Sequence, residues 1–157
     1  SVFKYIDVFD LLNPIQFYAF TGMEIGFGWY CYLISLLTQS HIIFFTIFSF
    51  LTFYIIFLVS EKINIKIIPV LLLYLSSGYF LLQQFTQIRQ GFSTPLALYA
   101  LAVFISRDNK FSMKFLFLTL LALSFHQTAL LIVIIGIFLS LILKFLSFCF
   151  ASYTNFD

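Results

Sequence analysis

The chain has 157 residues, of which 62% are hydrophobic, 22% aromatic and only 9% charged, with a formal net charge of +2. An ordinary soluble domain carries about 25% charged residues, so twenty-four Phe and nine Tyr leave too little polar surface to face water. A soluble domain is excluded, as is nucleic acid for want of a basic cluster; the composition predicts an all-α, polytopic helical bundle surrounded by membrane lipids.

Residues 1–28 are the least apolar stretch, setting Asp7, Asp10 and Glu24 against Lys4, with Asn13-Pro14 and three glycines. They read as an extracytoplasmic loop with short interfacial pieces, and SVFKYIDVFD is not a signal peptide. Trp29, Tyr30 and Tyr32 suit a headgroup-level aromatic anchor. Residues 29–37 are too short to span, so they form an interfacial piece or the first turns of the next helix.

The membrane region, 29–144, is expected to hold four to five segments, with spans near 41–60, 67–85, 90–106 and 115–143. His41 to Ser60 is apolar for 20 residues, about 30 Å of helix, which matches the hydrocarbon thickness. It stops at Glu61-Lys62. The second span opens with Pro69 in its first turn, where a missing N–H costs little. From Pro95 to Ser106 there are only 12 residues, about 18 Å of helix, so the third span must begin well before the proline, near Gln90. Pro95 then offers no N–H to the Gly91 carbonyl. Irregular backbone at membrane depth needs protein or a watery cavity around it, which predicts a cavity near Arg89.

The link RDNKFSMK (107–114) is basic. Phe115 to Leu143 is then apolar for 29 residues, with His126-Gln127 inside it. One tilted helix, or two pieces broken near His126 or Gly136, would fit. Residues 145–157 read as a mixed tail, and a chain that opens on Ser1 and closes this way is expected to be part of a longer polytopic protein. Cys31 and Cys149 match no metal or redox spacing and read as apolar fillers. With no Gly-rich phosphate loop, metal-ligand cluster or nucleophile elbow, neither cofactor nor metal is expected.

If the spans alternate, Lys62, Lys66, Arg107, Lys110 and Lys114 share one side, Lys4 and Arg89 the other, and Lys144 fits either. The positive-inside rule places the basic links in the cytoplasm. Glu24 and Arg89 then lie outward, with His126 at mid-depth or slightly beyond.

Arg89 carries the functional argument. An Arg at the centre of a membrane helix costs roughly 2.5–3.5 kcal/mol, so it is either held at the water boundary or put to use. Its fork suits phosphate or carboxylate. His126 can serve as general base or acid. Glu24 can activate a hydroxyl or pair with Arg89, and Gln83, Gln84, Gln87, Gln90 and Gln127 lie nearby. Each has a structural alternative: Arg89 a snorkelling anchor, His126 an interhelical hydrogen bonder worth about 0.6 kcal/mol, Glu24 a solvated carboxylate, the glutamines helix-contact glue. The residues alone suggest an outward-facing, lipid-embedded site for an anionic ligand.

Ile88 to Val133 resembles the EpsG-type, Wzy-like polysaccharide polymerases. The resemblance is carried by Ile88-Arg89-Gln90 opening a helix, the basic link Arg107 to Lys114, and Phe125-His126-Gln127-Thr128-Ala129. Upstream, MEIGFGWYCYLISLL from Met23 is similar to the family's Glu-x-Gly-Phe/Tyr segment. Ser93 and Pro95 depart from the family's Ala-rich helix. The resemblance implies a GT-C-like fold in the bacterial cytoplasmic membrane, with the site facing outward. It implies an enzyme that joins oligosaccharide repeat units carried on undecaprenyl diphosphate, alongside a chain-length regulator and without a nucleotide. Arg89, with Gln87 and Gln90, would bind the substrate, and His126 or Glu24 would be the base. A flippase for lipid-linked glycans, an integral-membrane acyltransferase and a non-catalytic subunit are the competing readings.

Overall fold

Apolar runs broken by short polar links become helices, and helices alone. In the computed structural model, which describes residues 14–77 and 87–154, these are α1 (Pro14–Thr21), α2 (Ile25–Ser35), α3 (His41–Lys62), α4 (Ile67–Ser76), α5 (Ile88–Ile105), α6 (Met113–Phe125) and α7 (Thr128–Thr154). There is no strand among the described residues. Lys4, Asp7, Asp10, Gln83, Gln84 and the end of the expected second span lie outside them. Among the described residues three helices are long and apolar enough to cross a membrane: α3, α5 and α7 over Thr128–Ser147; α4 and α6 are shorter apolar helices. The bundle is all-α, as its composition requires.

In the N-terminal stretch, where a loop with short interfacial pieces is expected, the described residues hold α1 and the start of α2. Pro14 opens α1 at the position where its missing N–H costs nothing, and Gly22, at φ 63°, closes it with its N–H on the Tyr18 carbonyl. α2 is too short to span, yet it buries Phe27, Tyr30, Cys31 and Ile34, because packing against neighbouring helices hides an apolar face at any length. Tyr30 is therefore not a headgroup anchor. Its ring sits between Phe44 and Phe48, and its hydroxyl donates to the Phe44 carbonyl at 2.9 Å. Trp29 stays exposed, edge-on to Tyr32.

Two further boundaries are settled by local chemistry. The last apolar run breaks at His126, whose extended backbone (φ −164°, ψ 137°) ends α6, whereas Gly136 lies inside α7. That helix continues through the expected tail to Thr154; FLSFCFASYT contains no glycine or proline to stop it.

α5 is the hub. Its membrane window is 61% buried, against 28% for α3 and 11% for α7. Phe48 meets Phe92 and, further along, Ile56 lies near Leu98, so α3 and α5 run the same way. Phe125 meets Phe92 while Phe115 meets Phe104, so α6 is antiparallel to α5. Ser140 on α7 reaches Asn109, just past the end of α5, and Gly136 lies against Leu101, so α7 is parallel to α5. Consequently Lys62, Lys66, Arg107, Lys110 and Lys114 share one end. Lys144 joins them, donating to the Asp108 carbonyl at 3.2 Å. The starts of α2, α5 and α7 lie at the other end.

Phe44 and Phe48 are fully buried where α2 meets α3. Phe48→Ala should destabilise the bundle by about 3–5 kcal/mol. Thermal unfolding in detergent would show this as a lower midpoint, while exposed Phe50→Ala should leave the midpoint nearly unchanged.

Candidate functional site

Each of three polar residues far apart in the sequence sits where a helix begins or ends. Glu24 caps α2, Arg89 is the second residue of α5, and His126 ends α6 two residues before α7. The fold brings all three together. Arg89 Nη1 donates to Glu24 Oε2 in a close charged pair, and to the Gly22 carbonyl at 3.2 Å. The other carboxylate oxygen, Oε1, lies 3.7 Å from His126 Nδ1. That is ion-pair range but longer than a hydrogen bond.

Local sequence explains the convergence. Gly26, one residue into α2, lies so close to α6 that an added Cβ would stand 2.3 Å from Ser124 Oγ and 2.7 Å from the Ser124 carbonyl oxygen. Only a residue without a side chain lets α2 approach this closely and set Glu24 beside His126. The left-handed turn at Gly22 aims its carbonyl at Arg89. The break at His126 is held from both sides. Fully buried Ser93, one turn after Arg89, donates its hydroxyl to the His126 carbonyl at 3.2 Å, and the Thr128 N–H donates to His126 Nδ1 at 3.3 Å.

The electrostatics favour an anion. The N-termini of α2, α5 and α7 meet here, and the C-terminus of α6 opposes them only in part. Each N-terminus carries about half a positive charge. Beneath lies an apolar floor of Phe27, Phe48, Phe92 and Phe125, with Phe92 4.6 Å from Phe125 and 5.0 Å from Phe48 between ring centroids. The Arg89, Glu24 and His126 side chains stay 29%, 16% and 22% exposed, respectively. A snorkelling anchor would reach for water; this guanidinium is instead held by a carboxylate over that floor.

Gln87 is exposed at the start of α5 and Gln90 is half-buried. Among the described residues neither hydrogen-bonds to the three. Gln127 is exposed as well. A cavity of about 300 Å³ does lie beside Pro95, but Ile56, Val59, Val70, Tyr74, Thr94 and Leu98 complete its walls. At 100° per residue, Thr94, Pro95 and Leu98 face away from Arg89. This cavity beside Pro95 is thus apolar and lies on the far side of α5 from Arg89. Among the described residues no three His, Cys, Asp or Glu are grouped to hold a metal.

Sequence reasoning gave Gly22, Gly26, Ser93 and Thr128 no part in the site, although Gly26 and Thr128 lie in the motifs that carry the family resemblance. Ser93 offered a signal of its own: a hydroxyl one helical turn from Arg89, on the same face of an apolar helix.

The EpsG family model matches residues 2–155. No curated protein and no solved structure matches the chain.

Proposed function

The chain belongs to the EpsG family, the one its motifs resemble, and from that membership we propose that it polymerises oligosaccharide repeat units carried on undecaprenyl diphosphate. It is a membrane protein of polysaccharide biosynthesis. In the finer reading the growing glycan leaves its lipid diphosphate and is joined to a sugar hydroxyl of the next lipid-linked unit. Arg89 holds the diphosphate and neutralises the charge that develops as it departs. His126 takes the hydroxyl proton, Glu24 supports it, and Gln87 and Gln90 offer amides to the sugar or phosphate. Membrane lipids surround the bundle, and a chain-length regulator is its expected partner.

One observation supports this reading above the rest. Glu24, Arg89 and His126 belong to three separate motifs, and they meet within ion-pair distance over a dry floor where three helix N-termini converge. The six cations Lys62, Lys66, Arg107, Lys110, Lys114 and Lys144 at the opposite end favour that end in the bacterial cytoplasm. The site then opens on the outer face of the cytoplasmic membrane.

The test is glycan length in cells that depend on the full chain. His126→Ala and Glu24→Ala should each abolish long glycan, losing about 10²–10⁴-fold in rate if an acid–base step is removed. A flippase needs the cation but no base, so normal length with either variant would favour a transporter instead.

A further inference from the structure

We propose that Glu24 is a transferable counter-ion: an arriving diphosphate displaces it from Arg89 onto His126, and this transfer creates the base. The inference rests on Arg89 being the diphosphate ligand, and adds how the site is kept idle until it is filled.

Three observations carry it. First, Arg89 spends only one nitrogen on the protein. Nη1 makes both contacts, while Nη2 and Nε have no partner among the described residues. The guanidinium has donors for an incoming anion, and Glu24 is the charge that competes with it. Second, Glu24 stands between two possible cations. Oε2 is on Arg89, and Oε1 is 3.7 Å from His126 Nδ1, so closing by about 0.8 Å would make a hydrogen bond. Third, a neutral His126 offers no free lone pair to an acceptor hydroxyl. Nδ1 accepts the Thr128 N–H at 3.3 Å, so a neutral ring carries its proton on Nε2. A protonated Nε2 cannot take another proton.

A diphosphate beside Arg89 sets like charges against the Glu24 carboxylate and pushes it toward the imidazole. Glu24 then accepts a hydrogen bond from a proton on Nδ1. The ring exchanges its proton with water from Nε2 to Nδ1, releasing the Thr128 N–H as one more donor at the start of α7. The Nε2 lone pair now faces outward and basic. It takes the proton of the acceptor hydroxyl as that oxygen bonds to the anomeric carbon. The bond from that carbon to the diphosphate oxygen breaks, its electron pair leaving with the diphosphate held on Arg89. Glu24 stabilises the imidazolium, which returns its proton to water once product departs. Glu24 is thus a positioning residue, acting through His126.

The consequence is a split that a merely structural carboxylate would not produce. Binding of inorganic diphosphate to the purified full chain can be followed by the fluorescence of Trp29, the single tryptophan, five residues from Glu24. Glu24→Gln, nearly isosteric, should bind diphosphate about five- to tenfold tighter, because a partly exposed competing charge is gone. The same variant should polymerise lipid-linked repeat units at least about 100-fold more slowly. Glu24→Asp should recover part of that rate, and Glu24→Gln should cost nothing further in a His126→Ala background. Unchanged or weaker diphosphate binding in Glu24→Gln, or undiminished polymerisation, would overturn the transfer while leaving Arg89 as the ligand. Equal diphosphate binding in wild type and Arg89→Ala would instead remove the functional reading beneath it.

Discussion

Arg89→Ala should shorten the glycan to single repeat units, with polymerisation reduced by about 10²–10³-fold. Removing one preorganised donor from a developing anion costs about 2.7–4 kcal/mol of transition-state stabilisation. The effect on folding should be much smaller. The Arg89–Glu24 pair is partly exposed on both sides, and such pairs contribute about 1 kcal/mol or less. Thermal unfolding of the same variant should therefore shift only slightly while activity collapses, which separates a lost ligand from a lost fold. Arg89→Lys keeps the charge but not the fork. Its single ammonium cannot span two phosphate oxygens while holding the Gly22 carbonyl, so it should still lose about 10–100-fold. Chain-length ladders on a polysaccharide gel read both variants. Normal ladders from the two together would dismiss the diphosphate role.

Gly26→Ala should be nearly as damaging from a residue that touches no substrate. The new methyl would meet both the Ser124 side chain and its carbonyl, so α2 must retreat by about 0.7–1 Å to reach ordinary contact distances. Overpacking of this kind costs about 1–3 kcal/mol, more than the helix propensity that alanine gains over glycine. The larger consequence is positional, because Glu24 starts the helix that moves. A displacement near 1 Å in a catalytic arrangement can cost about 10²-fold in rate. Ser124→Gly should fail to rescue the variant, since the Ser124 carbonyl remains in the way. Full activity in Gly26→Ala would mean that α2 does not position the site.

The long elements were legible because apolar continuity is a strong signal. α3 and the early start of α5 follow from counting residues against membrane thickness. α2 was not, since a short buried helix is defined by what it packs against. Tyr30 shows the difficulty: beside Trp29 it reads as an anchor, and only the position of α3 reveals it as core. The candidate site residues were legible for another reason. A charged or titratable group in an apolar chain costs free energy that something must offset, so Arg89, Glu24 and His126 stand out individually. Their mutual distances were hidden. Nothing at Gly26 announces that its missing side chain closes the gap between two helices, and nothing at Thr128 announces a backbone donor that selects a histidine tautomer.

The layer of phenylalanine rings under the three polar side chains has a bearing on bioenergetics. A membrane that stores an electrochemical gradient cannot tolerate a file of exchangeable protons from one surface to the other. The rings of Phe48, Phe92 and Phe125, packed 4.6–5.0 Å apart between centroids, carry no polar atom through which a proton could hop. If His126 exchanges protons during turnover as proposed, this apolar layer would hold that traffic to the side from which substrate arrives and spare the cell's energy supply a short circuit.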